Sequence, residues 1–408
     1  MAVTTTSKTQ TSKPKRVSQR QMGEWLTGYL FILPSVIVIG VFGLFPIIYA
    51  LYMSLFRRRV EPDRFIGLDN YTRILGSWWG ALAFFGGLAL ILVAHWLWTD
   101  AFKRSEKASV WRILASLVLL GSGVSIALGW NLMMEASRNG DFLQGLVRTV
   151  FYGFGSIPLQ ISLALVIAYM LFQKIKGQEL YRMLFFLPYV TPAVAGAVVF
   201  QVIFSPREER LANQIAGFFG IAPQRWLFEN KPLLEVMFGG PIGRFNEWLA
   251  STGASWQWEG LWLGPSMALV TIIFFGIWTY TGYNVVIFLA GLGNIPQNLY
   301  EAAEIDGANG AQQFWNITVP LLSPVTFYLT VLGFIGTFQA FTHLFVMREA
   351  TNGFARDSVD TASLVIFDTF YKRNDFTLAA AQSIILFAVI LLLTLMQNRF
   401  FGKGATGG

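Results

Sequence analysis

Long apolar segments alternate with shorter polar ones along most of the 408 residues. Eight of these segments hold about 20 or more mainly apolar residues, which is enough to cross roughly 30 Å of hydrocarbon as a helix. They occupy about 25–56, 79–99, 110–134, 147–172, 181–204, 266–291, 320–345 and 379–399. The pattern predicts an all-α integral membrane protein with about eight transmembrane helices.

The more polar stretches predict the remaining organisation. Residues 1–24 are rich in Ser, Thr, Gln and Lys and predict a disordered basic tail. Residues 205–264 and 346–376 predict two outer loops, and 401–408 a C-terminal tail. The tryptophans of the first loop fit either an interfacial belt or a sugar-stacking surface; they are Trp226, Trp248, Trp256, Trp258 and Trp262.

Composition excludes several kinds of chemistry. Only 13% of the residues are charged, so the net charge of +7 indicates membrane topology rather than nucleic-acid binding. Cysteine is absent, and His95 and His343 are predicted to hydrogen-bond to neighbouring helices rather than to hold a metal. No phosphate-binding loop motif occurs. We therefore expect no catalytic residues, no metal site and no ATP bound by this chain, which is predicted not to be an enzyme.

Basic residues in the short loops predict the orientation. If eight helices alternate in direction, the N-terminal tail and two basic loops share one side, predicted to be cytoplasmic together with both termini. Arg57, Arg58 and Arg59 fall on the opposite side and count against this orientation. The basic residues of the two loops are Lys103, Arg104, Lys107 and Arg112, and Lys174, Lys176 and Arg182.

The polar segment YEAAEIDGANGAQQFWNITVP separates two apolar segments, within a loop at about 294–320. A short helix is predicted from about Pro296 to Asp306, ended by Gly307 in a left-handed conformation. Asn309 and Gly310 favour a break before a second short helix. Its apolar stripe is expected to contact the bundle through Phe314, Ile317 and Leu321.

The first short helix has features of a docking surface. Ala302 and Ala303 make one side thin, and Glu301 and Glu304 can form charge-assisted hydrogen bonds with bases on a partner. The segment itself contains no base. By these signals alone, an ordinary capped loop is the favoured interpretation.

The longer spacing resembles a known family. Glu301-Ala302-Ala303, Gly307, Ile317 and Pro320 are similar to the EAA loop of permease subunits of binding-protein-dependent ABC importers, with Val319 where leucine is usual. The surrounding sequence, IPQNLYEAAEIDGANGAQQFWNITVPLLSP, looks like the type I, carbohydrate-uptake, maltose-permease-like branch of this family. Looser similarity includes FILPSVIVIGVFGLFPIIYALYMSL, GLDNY and LYRMLFFLPYVTPAVAGAVVF, and the core resemblance covers about 260 residues.

The resemblance implies a six-helix permease core, formed by 25–78 (first core helix and outer loop) and 141–400. An inserted transmembrane hairpin at 79–140 departs from that plan; it could be a peripheral lipid-facing hairpin or a regulatory element. The EAA loop would be the coupling element for a separate ATPase. Its coupling residues would be Glu301, Ala302, Ala303, Glu304, Asp306, Gly307, Ile317 and Pro320.

The family also implies partners and a compartment. These are a second homologous permease forming a heterodimer, two cytoplasmic ATPase subunits that bind ATP and magnesium, and an extracytoplasmic solute-binding protein. The lipid bilayer would be the cytoplasmic (inner) membrane of a bacterium or archaeon. No nucleic acid is expected as a partner.

In such permeases the solute path lies along the helices that flank the EAA loop. Aromatic faces, amides and hydroxyls there suit a neutral polyhydroxy solute, although the same residue types at helical spacing also mediate helix packing. The candidates are Thr279, Tyr280, Tyr283 and Asn284 before the loop, and Gly336, Thr337, Gln339 and Ala340 after it.

The function predicted from these features is a transmembrane permease subunit for a mono- or oligosaccharide. Alternatives are a permease for another small polar solute such as glycerol phosphate, or a secondary transporter. The latter would need intramembrane ionisable groups that are not evident. A membrane-embedded transferase would need positioned acids, bases or a metal.

Overall fold

A computed structural model describes residues 19–57, 64–103, 108–138, 140–173, 176–252, 263–351 and 356–405. The chain divides into two compact units at Tyr52 and Met53. Several residues used in the orientation argument lie outside the described ranges, namely residues 1–18 and Arg58, Arg59, Arg104, Lys107 and Lys174.

Almost all regular structure is helical. The helices are α1 (Gln19–Val38), α2 (Phe45–Ser54), α3 (Asp69–Leu75), α4 (Trp78–Lys103), α5 (Ala108–Ala136), α6 (Gly140–Phe172), α7 (Gln178–Val190), α8 (Ala193–Ile203), α9 (Leu211–Phe218), α10 (Leu233–Ser251), α11 (Met267–Gly293), α12 (Gln297–Ile305), α13 (Gly310–Gln313), α14 (Val319–Leu321), α15 (Ser323–Phe338), α16 (Thr342–Ala350), α17 (Arg356–Val359), α18 (Ala362–Tyr371) and α19 (Phe376–Ala405). Two short strands, β1 (Phe56–Arg57) and β2 (Arg64–Phe65), pair antiparallel with Phe56 opposite Phe65.

The first unit consists mainly of one long apolar helix. A π-helical turn, Ile39–Leu44, joins α1 to α2. The Phe45 N–H bonds to the Gly40 carbonyl, one residue further back than in an α-helix, and the following Pro46 has no N–H to donate. Helix α1 begins at Gln19, so the end of the predicted disordered tail 1–24 is helical.

The predicted all-α membrane class is confirmed, and the number of candidate spans is six to eight. Within the described ranges, six helical segments are long and apolar enough to cross a membrane: Glu24–Ser54, Trp78–Thr99, Val110–Ala136, Gly140–Phe172, Met267–Gly293 and Phe376–Arg399. Two bent pairs bring the number to eight if each pair is one span.

The predicted span at 181–204 is not one straight helix. Its two parts, α7 and α8, meet at 95°. Thr191 and Pro192 between them have extended ψ angles of 131° and 128°. Proline disfavours the helical conformation of the residue before it, and this accounts for the break.

The predicted span at 320–345 is also interrupted. The segment Gly310–Leu321 meets α15 at 63°, and α15 ends at Phe338. A non-helical segment follows before α16 begins at Thr342. Polar side chains from neighbouring segments bond to backbone carbonyls near this second break: Ser363 Oγ lies 2.5 Å from Ala340 O, and Gln201 Nε2 lies 3.0 Å from Val346 O.

Helices α6 and α11 lie at the centre of the second unit. Their close packing depends on small residues, because a Cβ at Gly276 would lie 2.8 Å from the Tyr152 hydroxyl, and one at Gly282 would overlap the Phe185 carbonyl oxygen of α7. The Tyr152 hydroxyl also lies 2.9 Å from His343 Nε2, which confirms the hydrogen bond predicted for that histidine.

Helices α4 and α5 form the predicted hairpin. Their backbones approach closely at glycines, since a Cβ at Gly87 or Gly129 would clash with the backbone of the other helix. Leu75 and Leu143 pack with this pair in a separate apolar cluster. Whether the hairpin faces lipid or has a regulatory role stays a prediction.

The predicted outer loop at 205–264 contains helices α9 and α10 and a 3₁₀ turn at Trp226–Phe228. Trp226 Nε1 donates to Asn213 Oδ1 at 2.7 Å, so this indole helps to hold the loop together. Trp248 is exposed. The other tryptophans of the loop prediction, Trp256, Trp258 and Trp262, lie outside the described residues.

The stretch at 346–376 was predicted to be an outer loop, but most of it is helical and packed. Arg348 of α16 is only 1% exposed. Its guanidinium lies 2.9 Å from Asp360 Oδ1 and 3.2 Å from both carboxylate oxygens of Asp368 in α18. Sequence periodicity missed this packing because the elements are short and the pairing links distant positions.

In the cluster of Arg348, Asp360, Asp368 and Lys372, each charged side chain contacts one of opposite charge. Burial opposes the charged form of Arg348, but hydrogen bonds and charges from Asp360 and Asp368 outweigh that cost and raise the pKa of the guanidinium above its ordinary value. Lys372 Nζ adds a contact of 3.1 Å to Asp368. Arg348 therefore stays charged and joins α16 to α18.

We expect Arg348→Met to destabilise the protein by about 3–5 kcal/mol, because it leaves two carboxylates without their buried partner. Arg373→Met is the matched control, since Arg373 pairs with Asp141 at 2.8 Å with both side chains more than half exposed. That change should cost no more than about 1 kcal/mol. Denaturant unfolding in detergent micelles measures both, and equal losses would contradict the assigned role of burial.

Candidate functional site

The polar insert forms a short helix with a well-defined end. Helix α12 runs from Gln297 to Ile305, within a residue of the prediction, and Pro296 precedes it. Gly307 has φ +79°, and its N–H bonds to Glu304 O at 3.0 Å. The Ala308 N–H bonds to Ala303 O at 2.8 Å, which completes a Schellman motif.

The chain then starts a second short helix. The Asn309 side chain accepts from the Gln312 N–H at 2.9 Å, while the Gln312 side chain accepts from the Asn309 N–H at 2.8 Å. This reciprocal capping box begins α13. The predicted helix, turn and second helix are therefore confirmed.

The apolar stripe of the second helix differs from the prediction. Residues Phe314–Thr318 form a π-helix, which widens the turn and rotates the following residues. Thr318 and Leu322 are fully buried in the bundle, whereas Leu321 is exposed. Phe314 and Ile317 remain partly buried. The expected stripe through Leu321 was wrong because it assumed a regular α-helix.

The outer side of α12 is accessible. Glu301, Ala302, Glu304, Asp306 and Gly307 are exposed, and Ile305 is 86% exposed. Ala303 is half-buried, so the two alanines do not form one open side as expected. The helix presents an apolar side chain framed by acids.

The other two predicted coupling residues lie on the returning segment. Ile317 is half-buried in the π-helix, and Pro320 is exposed in α14. Their contact with another subunit stays a prediction.

Aromatic side chains gather where α7 passes α11. Tyr189 stacks on Tyr283 with ring centroids 4.8 Å apart and lies 6.2 Å from Tyr280. Tyr189 and Tyr280 are more than one-third exposed. Sequence reasoning missed Tyr189; its position just before Thr191-Pro192, where α7 ends, is the signal that could have found it.

The other two candidates on α11, Thr279 and Asn284, are not part of this tyrosine cluster. Asn284 is buried within the bundle. Thr279 is half-buried, and its hydroxyl oxygen has no hydrogen-bond partner among the described residues. The structure therefore brings together two of the four candidates, with Tyr189 as an addition.

The candidates after the loop do not share one helical face, because α15 ends at Phe338. Thr337 is buried and its hydroxyl donates to Gly333 O at 2.7 Å, and Ala340 is buried in the break. Gly336 and Gln339 are exposed, and a Cβ at Gly336 would meet open space. Thr337 and Ala340 thus pack, whereas Gly336 and Gln339 remain accessible.

The candidate spans define a multi-pass membrane protein, and a capped polar helix, α12, is exposed between two of its apolar segments. A family model described as the binding-protein-dependent transport system inner membrane component matches residues 123–403, and the chain belongs to that family. The match begins within α5 and so leaves out most of the hairpin at 79–140.

Curated relatives cover most of this chain. The lactose transport system permease protein LacF of Rhizobium radiobacter is 28% identical over 375 residues, which is 91% of this chain and 93% of that protein. The arabinooligosaccharides transport system permease protein AraP of Bacillus subtilis (strain 168) is 27% identical over 380 residues, covering 92% and 88%. The sn-glycerol-3-phosphate transport system permease protein UgpA of Rhizobium meliloti (strain 1021) is 31% identical over 265 residues, covering 64% and 76%.

A solved structure shares the fold. One chain in the crystal structure of a bacterial alginate ABC transporter, in complex with an alginate pentasaccharide-bound periplasmic protein, matches with a TM-score of 0.61 and 16% identity. The match covers 96% of this chain and 98% of that chain. The likeness supports the fold of this multi-pass transport-system component.

The end of α12 offers a matched pair of substitutions. A Cβ would meet open space at both Gly307 and Gly310, but only Gly307 has a positive φ. We expect Gly307→Ala to cost about 1 kcal/mol and to raise hydrogen exchange across α12 roughly fivefold, while Gly310→Ala leaves it unchanged. Hydrogen-exchange mass spectrometry checks both, and equal exchange in the two variants would mean that the left-handed turn does not hold the helix.

Proposed function

We propose that this chain is a permease subunit of an ABC importer and forms part of the translocation path for a mono- or oligosaccharide. The observation that carries the proposal is the capped, exposed α12, set between apolar segments of a chain in this transport family. LacF and AraP, named for lactose and arabinooligosaccharides, support a sugar as the solute. UgpA supports sn-glycerol 3-phosphate as the second candidate.

The chemistry of the flanking helices favours a neutral solute. Neither α11 nor α15 contains Asp, Glu, Lys or Arg, so neither offers a fixed counter-ion for a phosphate ester. Tyr189, Tyr280 and Tyr283 offer ring faces for stacking on a sugar. On the other flanking segment, Gly336 of α15 is open and the Gln339 amide just after the helix is accessible.

Coupling would use α12. ATP-driven movement of a partner must be passed to the spans through a rigid element, and a capped helix transmits displacement that a flexible loop would absorb. We assign this contact to Glu301, Ala302, Glu304 and Ile305, facing a basic cleft of an ATPase subunit. Two such subunits would bind ATP and magnesium, and this chain would perform no catalysis itself.

The complete importer would contain a second, homologous permease, with the solute path between the two, and an extracytoplasmic binding protein docked on the outer segments. With eight alternating spans, α12 and both termini lie on the cytoplasmic side of a bacterial or archaeal inner membrane. The Lys103 and Lys176 positions fall on that same side.

Reconstitution of the chain with a candidate partner permease, ATPase and binding protein tests the function. We expect ATP-dependent uptake of lactose or an arabino-oligosaccharide into proteoliposomes, with ATP hydrolysis stimulated by the loaded binding protein. Uptake of sn-glycerol 3-phosphate alone would select the second candidate. Uptake driven by a proton gradient without the ATPase would overturn the importer proposal.

Charge reversal tests the docking face. Glu301→Lys should weaken association with the ATPase about tenfold or more, since it replaces attraction with repulsion at the contact. Glu208→Lys makes the same charge change at an exposed position of the outer loop and should leave association unchanged. Co-purification and titration of ATPase binding measure both, and unchanged binding in Glu301→Lys would contradict the assigned face.

A further inference from the structure

The coupling helix is attached to the returning segment by side chains as well as by the chain itself. The Tyr300 hydroxyl of α12 lies 2.9 Å from Thr318 Oγ1 at the end of the π-helix. Thr318 is completely buried, and Tyr300 is half-buried. The bond therefore lies where α12 faces the returning segment, while the neighbouring Glu301 and Glu304 are exposed.

Further hydrogen bonds extend this contact into a network. Thr318 Oγ1 donates to Gln313 O at 3.4 Å, and the buried Gln313 side chain donates to Ala308 O at 3.4 Å. Ala308 in turn is bonded to Ala303 through the helix cap. This chain of hydrogen bonds runs from Tyr300, in the first half of α12, to Ala303 and Ala308 at its C-terminal end. Helix α12 is therefore held at two places.

A contact with a spanning helix anchors this assembly. The Tyr169 hydroxyl of α6 donates to Gly310 O at 3.1 Å, and its ring lies 4.9 Å from the Phe314 ring. Helix α6 is one of the long apolar helices and packs against α11 and α15 in the main core. Displacement of the segment after α12 is thus passed to the core through α6 as well as through α15.

Attachment at two points changes the mechanics of α12. A short helix held only by its flanking backbone can pivot when a partner pushes on it, and the movement is lost in the hinge. Gly307, with its positive φ, and the break before α13 would supply such a hinge. The Tyr300–Thr318 bond spans this turn and closes the hinge.

We propose that Tyr300 and Thr318 are positioning residues that keep α12 from pivoting, so that movement of the ATPase reaches the spanning helices. The proposal rests on the coupling role proposed above. Neither residue has to touch solute or nucleotide for this role.

A double-mutant cycle in the reconstituted importer tests the proposal. The ratio of solute imported to ATP hydrolysed should fall about threefold to tenfold in Tyr300→Phe and in Thr318→Val, which is the scale of one hydrogen bond. The double variant should be no worse than the poorer single variant, because both remove the same bond. Thr318→Ser keeps the hydroxyl and should retain the wild-type ratio.

Tyr181→Phe is the matched control, since Tyr181 is an exposed tyrosine of α7, and it should not alter the ratio. The probes are lactose, an arabino-oligosaccharide and sn-glycerol 3-phosphate, each with its own uptake assay. An unchanged ratio in Tyr300→Phe, or losses that simply add in the double variant, would overturn the proposal.

A second measurement does not depend on transport. The chain has no cysteine, so Asn298→Cys on α12 and Met170→Cys on α6 are its only labelling sites, and the partner subunits are used in cysteine-free form. In the assembled complex, the distance distribution between the labels should broaden in Tyr300→Phe and in Thr318→Val, and stay narrow in Thr318→Ser.

The two measurements separate the two proposals. If the wild-type complex imports none of the probes, the sugar or phosphate ester assignment fails, while the label distances still decide whether the bond positions α12. If transport is normal and the distributions of all variants coincide, the positioning role is wrong and the importer stands.

Discussion

Backbone hydrogen bonding inside the bilayer is the constraint on which the structure depends. Hydrocarbon offers no partner for an N–H or C=O group, so a segment that crosses it must be helical, and any break needs substitute partners. In the break after α15, Ser363 donates to the carbonyl of Ala340. Near the end of the first long helix, the buried Asn70 side chain donates to the carbonyls of Ser54 and Phe56 at 2.9 Å. Polar side chains in these positions thus stabilise the irregular backbone rather than mark a solute site.

Features set by neighbouring residues can be predicted from the sequence, whereas contacts between residues far apart in the chain cannot. The spans were predictable because their apolar residues are contiguous, and the end of α12 was predictable because Gly307 and Asn309 act through their immediate neighbours. The ion pairs of Arg348 join positions up to 20 residues apart and carry no periodic signal. No simple rule of composition predicts the π-helix after α13. The burial of Thr318 and Leu322, which follows from it, is therefore visible only in the structure.

The same distinction applies to the candidate solute site. Spacing placed Tyr280 and Tyr283 on one side of α11, but their partner Tyr189 belongs to another helix. Its approach requires the absence of a side chain at Gly282, where α7 crosses α11. A residue whose position depends on a helix crossing cannot be found from the periodicity of its own helix. The two predicted residues and the missed one form a cluster only because two backbones touch.

The helices that flank α12, namely α11 and α15, contain no Asp, Glu, Lys or Arg, and this bears on the mechanism. Transporters driven by ion gradients need ionisable groups within the membrane, and α11 and α15 have none. The acids instead lie on the exposed side of α12, where a neighbouring protein can reach them. Under the proposed function, energy for transport would enter as mechanical displacement at this surface. The proposed coupling role would need a stiff connection between surface and path, and we assign that connection to the helix cap, the capping box and the Tyr300–Thr318 bond.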